Sequence, residues 1–340
     1  MPLLEVRDLS VEYHVADGVL RAVDGVSLDV EAGESFGLVG ESGCGKTTTV
    51  RALLGILPGN ARVARGAARL GGRDLMALGE DEMRGIRWKE VSIIFQSAMN
   101  ALDPVYRIQD QIVEAIRLHE PVGRSDALRR ARELFDLVGI DAKRLRHYPH
   151  QLSGGMRQRA CIAMALALNP RLVVADEPTT ALDVLVKDQI LEQIEALQRD
   201  RHIAVIYVSH DISVIAETCS RVGVMYGGRL VERGPVGQVF GEPAHPYTMG
   251  LLNAFPTLTG AERLVSIPGY PPNLLDPPRG CGFAARCPFR DDVCLAVVPP
   301  LTDVAPGHAA ACHFAGRAAR FRELAALPAT WQRSEVGVGP

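Results

Sequence analysis

Long apolar runs are the first thing this 340-residue sequence lacks. The stretch CIAMALAL, residues 161–168, falls far short of the ~18 residues that a membrane-spanning helix needs. The N-terminal segment MPLLEVRDLSVEYH carries charge from residue 5 onward, which argues against a secretory signal. A basic excess is also missing. The net charge of −3 and pI near 6.3 exclude a nucleic-acid binder held mainly by its own field. Internal repeats and low-complexity tracts are absent. Cysteines number only seven, yet four of them, Cys281, Cys287, Cys294 and Cys312, fall in one 32-residue window. None of these four opens the C-x₂₋₄-C knuckle usual for structural zinc. The chain reads as soluble and cytosolic. In that reducing setting, clustered cysteines suggest metal ligands before disulfides.

What remains is ordinary globular material, 47% hydrophobic and 23% charged, with length enough for two units. Composition shifts near residue 240: of 22 prolines, 14 lie in 241–340. The expected division is therefore a regular α/β domain over 1–240 and a loop-rich extension over 241–340, with little core of its own. ESFGLVG (34–40), VSIIFQ (91–96), RLVVAD (171–176) and HIAVIYVSH (202–210) read as strands of a sheet covered on both faces. ALRRARELFDLV (127–138) sets Leu128, Ala131, Leu134, Phe135 and Val138 on one helical face. RVGVMYGGRLVE (221–232) reads as a hairpin turning at Gly227-Gly228.

The strand at 34–40 runs into GESGCGKTT, which fits G-x-x-x-x-G-K-[ST] from Gly40 to Thr47. Glycines there let backbone N–H groups of Glu41, Ser42, Gly43, Cys44 and Gly45 turn toward phosphate oxygens, and the helix that follows adds its N-terminal partial charge. Lys46 is placed to reach the β- and γ-phosphates of a nucleotide, and the Thr47 hydroxyl to bind Mg²⁺, with Thr48 next along the helix. RLVVADEP ends an apolar strand in two carboxylates. Asp176 can support Mg²⁺, and Glu177 can polarise an attacking water. LSGGMRQR (152–159) opens another helix as an anion site, with Ser153 as donor and Gly154 and Gly155 behind it. One nucleotide hardly needs two such helix starts, unless the second serves a nucleotide held by another subunit.

With these motifs in order, residues 3–240 resemble the ATP-binding subunits of ABC transporters, whose signature is this LSGGMRQR and whose paired subunits sandwich two ATPs. The resemblance implies the P-loop ABC-type fold, a mixed α/β sheet core with a helical subdomain over roughly 97–165. It assigns Gly40–Thr47 to the Walker A loop, Asp176 and Glu177 to Walker B, and Ser153 to Gln158 to the signature. It assigns Gln96 to the Q-loop that reaches Mg²⁺ and the attacking water, Asp183 to the D-loop, and His210 to the switch histidine. Tyr13 closes the alternation Leu9, Val11, Tyr13; it is either core packing or the aromatic that the family stacks on adenine. Cys44, Cys161 and Cys219 read as small packing residues.

FQSAMNALDPVYRIQDQI (95–112) and AHPYTMGLL (244–252) resemble the oligopeptide, dipeptide and nickel importers in particular. GCGFAARCPFRDDVC (280–294), with Cys312 after it, resembles that group's cysteine region, for which the resemblance implies a [4Fe–4S] cluster. Zinc, mixed ligation with His308 or His313, and unmetallated thiols stay open. The cysteine site is expected to lie away from the ATP. The implied partners are a second, related ABC ATPase, two membrane permeases and an extracytoplasmic solute-binding protein, with this chain peripheral on the cytoplasmic face of the plasma membrane. Nucleic acid is not among them: a soluble ABC ATPase acting on DNA or ribosomes predicts tandem halves, long coiled-coil arms or a basic surface, and none is present. The cargo stays open.

Overall fold

The computed structural model describes residues 1–95, 101–178, 184–254 and 266–332. In chain order its strands are β1 (Leu4–Val15), β2 (Gly18–Val30), β3 (Ser35–Val39), β4 (Ala61–Leu70), β5 (Arg73–Asp74), β6 (Val91–Ile94), β7 (Leu172–Asp176), β8 (Ala204–Ser209), β9 (Arg221–Tyr226), β10 (Arg229–Pro235), β11 (Thr302–Ala305) and β12 (His308–Ala310). The chain forms two compact units and passes between them repeatedly. One comprises Met1–Leu3, Val30–Ser35 and Ala77–Val208; the other comprises Leu4–Asp29, Phe36–Met76 and Ser209–Pro340.

The first unit is built on parallel strands. β6 pairs with β7 and β7 with β8, in registers that set Val91 against Leu172 and Leu172 against Ala204. Every residue of β7 is buried, as the unbroken apolar run Leu172 to Ala175 requires of a strand covered on both faces. Parallel neighbours need crossovers. Helices Ile108–His119, Arg124–Leu137 and Gly154–Ala165 lie between β6 and β7, and helix Val184–Arg201 lies between β7 and β8. The predicted helical face holds in the main: Ala131, Leu134 and Phe135 are buried on helix Arg124–Leu137, Val138 is buried just past its end, Leu128 is half-buried, and Ala127 joins them one turn earlier.

The second unit holds an antiparallel sheet in the order β2-β1-β4-β5 and a mixed run in the order β11-β12-β10-β9-β3. β3 pairs with β9 in parallel, and β9 with β10 as the predicted hairpin, with Gly227 and Gly228 both at positive φ in the turn. The extension is loop-rich, as expected, but it has more core than expected, because β12 pairs with β10 (Glu232 against Ala310) and continues that sheet. A ring cluster sits beneath it. Tyr226, Tyr247 and Phe283 pack tilted or edge-to-face at centroid separations of 4.5 to 5.5 Å. Trp331, 2% exposed, closes the far end with its indole N–H on the Ala325 carbonyl.

Candidate ATP site and the extension beside it

The phosphate loop is shaped by glycines that nothing else could replace. Gly40 has φ 151°, and a Cβ there would stand 2.2 Å from the Met225 carbonyl oxygen; one on Gly45, φ 104°, would stand 2.4 Å from that of Ala22. The chain therefore folds tightly against its own sheet before entering helix Lys46–Leu53. Lys46 is buried, and its Nζ donates to the Gly40 and Glu41 carbonyls at 2.7 and 3.0 Å, so the ammonium lies across the loop. Burial pushes the Cys44 thiol up, against the pull of Lys46, and keeps it a protonated packing group. Tyr13 is half-buried on β1, with its hydroxyl 3.2 Å from Thr48 Oγ1. Of its two readings, both keep it beside this helix.

In the first unit, Asp176 ends β7 at 2% exposure. Glu177 follows with φ 49°, a left-handed conformation that costs a non-glycine residue about 1–3 kcal/mol and that clusters at active sites. Its N–H donates to the Val208 carbonyl at 2.8 Å, pinning the strained turn to β8. Ser153 caps helix Gly154–Ala165, its Oγ accepting from Met156 N–H at 3.3 Å. Gln158 is 4% exposed, and its amide nitrogen meets no acceptor among the described residues. His210 directly follows β8 and is exposed. Gln96 and Asp183 lie outside the described residues.

All four clustered cysteines line one small apolar cavity in the second unit, among His245, Phe283, Phe289 and Phe321. No cysteine is in a disulfide. Burial, then its cysteine neighbours, raises the thiol pKa of Cys287, and the same causes push Cys312 up to about 11. Among the described residues no three His, Cys, Asp or Glu side chains are arranged to hold a metal ion. The two histidines flanking Cys312 are otherwise engaged. His308 bonds the buried Glu232 at 2.7 Å, and His313 bonds the Val297 carbonyl at 2.8 Å.

Two contacts were not foreseeable from motifs. Glu232, fully buried on β10, accepts from the Ala244 and His245 N–H groups and from His308, fastening the AHPYT segment to the sheet. Arg286, in the turn between Cys281 and Cys287, forms a bidentate pair with Glu41 of the phosphate loop, at 2.8 and 3.0 Å. One residue of the cysteine turn thus touches the phosphate loop, while the cavity lined by the four cysteines includes no residue of that loop.

Comparison with known proteins decides the family. Residues 23–180 match the model for "ABC transporter", and residues 231–294 the model for "Oligopeptide/dipeptide transporter, C-terminal region". The chain is 47% identical, over 91% of its length and 94% of the relative's, to a probable peptide ABC transporter ATP-binding protein of Sinorhizobium fredii. It is 44% identical to the oligopeptide transport ATP-binding protein of Escherichia coli, over 91% and 92% of the two chains. The chain belongs to the ATP-binding subunits of ABC transporters. As an ABC transport ATPase it also matches a solved structure, the dimeric ATP-binding cassette MJ0796 in a post-hydrolysis state with ADP and Pi. The TM-score is 0.63 at 25% identity, covering 68% of this chain and 98% of that one. Among the described residues, no helix of this ABC ATPase is long and apolar enough to cross a membrane.

Proposed function

We propose that this ATPase powers import of di- or oligopeptides. It would work with a second, related ABC ATPase, two membrane permeases and an extracytoplasmic binding protein, on the cytoplasmic face of the membrane. The observation that carries the reading is the continuity of the match. The similarity to peptide-transport ATPases runs through the ATP motifs and on into the transporter-specific region at 231–294.

In this reading the ATPase domain spans 1–240, with its helical part at roughly 97–165, and the extension spans 241–340. Backbone N–H groups of Gly40–Thr47 and the Lys46 ammonium bind the phosphates, and Tyr13 stacks on the base. Thr47, Asp176 and Gln96 are the residues that would hold Mg²⁺, which neutralises charge on the transferring phosphate. Glu177 orients the attacking water and takes its proton. His210 steadies Glu177, and Asp183 lines the approach between subunits. Ser153, Gly154, Gly155 and Gln158 serve the nucleotide of the opposite subunit, so hydrolysis requires the pair. Closure on ATP and reopening after hydrolysis would drive the permeases between their two access states.

For the cysteines we favour a [4Fe–4S] cluster. Four thiols, three from loops and Cys294 from the short helix Asp292–Ala296, share one cavity, none is used in a disulfide, and four cysteines are the usual donor set. Thiols ringing a cavity suit a polynuclear group better than one ion, whose ligands must all converge on a single point. The resident group would supply cross-links between loops. Protein purified anaerobically should carry about four irons per chain. Cys287→Ser should lose them and make the extension protease-sensitive; an iron-free, zinc-free preparation from iron-replete cells would leave ordinary thiols.

The import reading is tested by uptake. Vesicles containing the assembled complex should accumulate labelled di- or oligopeptide only with ATP inside the compartment facing this subunit. ATP-driven uptake of a different solute, with none of any peptide, would overturn the cargo.

A further inference from the structure

Two side chains of the extension end on one residue of the phosphate loop. Arg286 grips the Glu41 carboxylate with both arms of its guanidinium. The Tyr247 hydroxyl accepts the Glu41 N–H at 2.8 Å. The Glu41 carbonyl is in turn an acceptor for Lys46 Nζ. Glu41 is thus held by side chain and backbone, and what holds it is one bond from the lysine.

Both gripping residues are themselves immobilised. Arg286 is 6% exposed and donates to the Pro268 and Ile267 carbonyls at 2.8 and 3.2 Å, and to the Tyr226 hydroxyl at 3.2 Å. Its guanidinium lies over the rings of Tyr226 and Phe283, 5.7 and 6.0 Å from their centroids. A planar fork with this many fixed acceptors has no freedom to swing toward solvent. Tyr247 is fully buried, and its own N–H is received by His245 Nδ1 at 3.0 Å.

A loop that binds phosphate through backbone N–H groups is effective to the degree that its conformation is set beforehand. We infer that Arg286 and Tyr247 are positioning residues for ATP binding. They hold the Gly40–Glu41 segment, and through it Lys46, in the conformation that receives the phosphates. The inference rests on the nucleotide reading of this loop and is independent of the cargo and of what fills the cysteine cavity. A contact that merely fastened the extension would contribute stability and leave affinity untouched, so the two roles separate experimentally.

The test is titration of the purified full chain with a fluorescent ATP analogue, alongside thermal melting, and KM against kcat for ATP in the assembled complex. Tyr247→Phe, which removes only the accepting hydroxyl, should weaken ATP about fivefold, and Arg286→Met about tenfold, in keeping with loss of a neutral and a charge-assisted bond. Arg286→Lys should recover part of the loss. Adding Glu41→Gln to Arg286→Met should cost little more, since both remove one interaction. KM should rise with kcat within about twofold, the mark of lost uniform binding; a weakened fold would instead lower kcat through the active fraction. Should Arg286→Met fail to fold, Tyr247→Phe and Arg286→Lys decide. Wild-type ATP affinity in soluble Tyr247→Phe and in the tested Arg286 variant would overturn the inference. Lys46→Ala serves as the control: if it also binds normally, the loop assignment fails rather than the positioning role.

Discussion

The helix starts at Lys46 and Gly154 both read as anion sites, and they are built in opposite ways. The first follows Gly45 in a left-handed conformation and has no side-chain cap; the loop before it supplies a buried lysine instead. The second begins at Ser153, whose hydroxyl already accepts a bond from its own helix. An uncapped start keeps N–H groups directed at a ligand, whereas a capped start is satisfied alone and must exchange a bond to take one. The difference fits a loop that binds ATP within its own chain, and a signature that engages only a nucleotide presented by a partner subunit. A third start makes the contrast sharper. Helix Pro246–Asn253 is capped by an imidazole, His245 Nδ1, which can accept only while it is neutral.

The strongest test of this contrast is Lys46→Ala. If Lys46 faces the β- and γ-phosphates as proposed, losing its cation should weaken ATP binding by the isolated chain about a hundredfold, comparable to losing a key charge-stabilising donor. Unchanged affinity would remove the functional half of the comparison. Ser153→Ala should behave differently. ATP binding by the isolated chain should stay as in wild type while turnover of the assembled pair falls about tenfold, on the scale of one charge-assisted bond. Equal loss of binding in the isolated chain would show that the two starts serve the same nucleotide.

The smallest effect concerns the imidazole cap. Burial lowers the His245 pKa from 6.5 to about 3, so the folded chain holds it neutral while the unfolded chain protonates it below pH 6.5. Its contribution to stability is therefore complete above pH 6.5 and is lost as pH falls from there toward 3, at about 1.4 kcal/mol per pH unit. Melting curves across this range should show wild type losing stability faster than His245→Asn, which keeps a capping acceptor without the titration. Parallel curves would mean that His245 is solvated or already charged.

The loop motif was legible because backbone geometry admits glycine alone at Gly40 and Gly45, so spacing and function are one constraint. The buried strands were legible for the same kind of reason: β7 and β8 are covered on both faces and so show unbroken apolar runs. The extension was not. Glu232 sits in a hairpin strand where alternation makes a carboxylate look exposed, yet it is buried by partners 12 to 76 residues downstream. The Arg286–Glu41 pair spans 245 residues and joins a loop arginine to a variable position of the motif, so no local pattern announces it. Proline density suggested loops, and the ring cluster of Tyr226, Tyr247 and Phe283 draws on three distant segments. At Glu177 the carboxylate was visible as a residue type but the strained backbone was not, since φ follows from the turn against β8.

The central claim is that this chain hydrolyses ATP with Glu177 as the group that orients and deprotonates water. ATP turnover by the assembled complex carrying Glu177→Gln tests it most directly. The amide keeps the shape of the side chain and loses the base, so turnover should fall about a thousandfold, within the range ascribed to a general base, while ATP stays bound and the paired subunits accumulate in a closed, nucleotide-loaded form. Wild-type turnover from a properly folded and assembled Glu177→Gln complex would contradict the account.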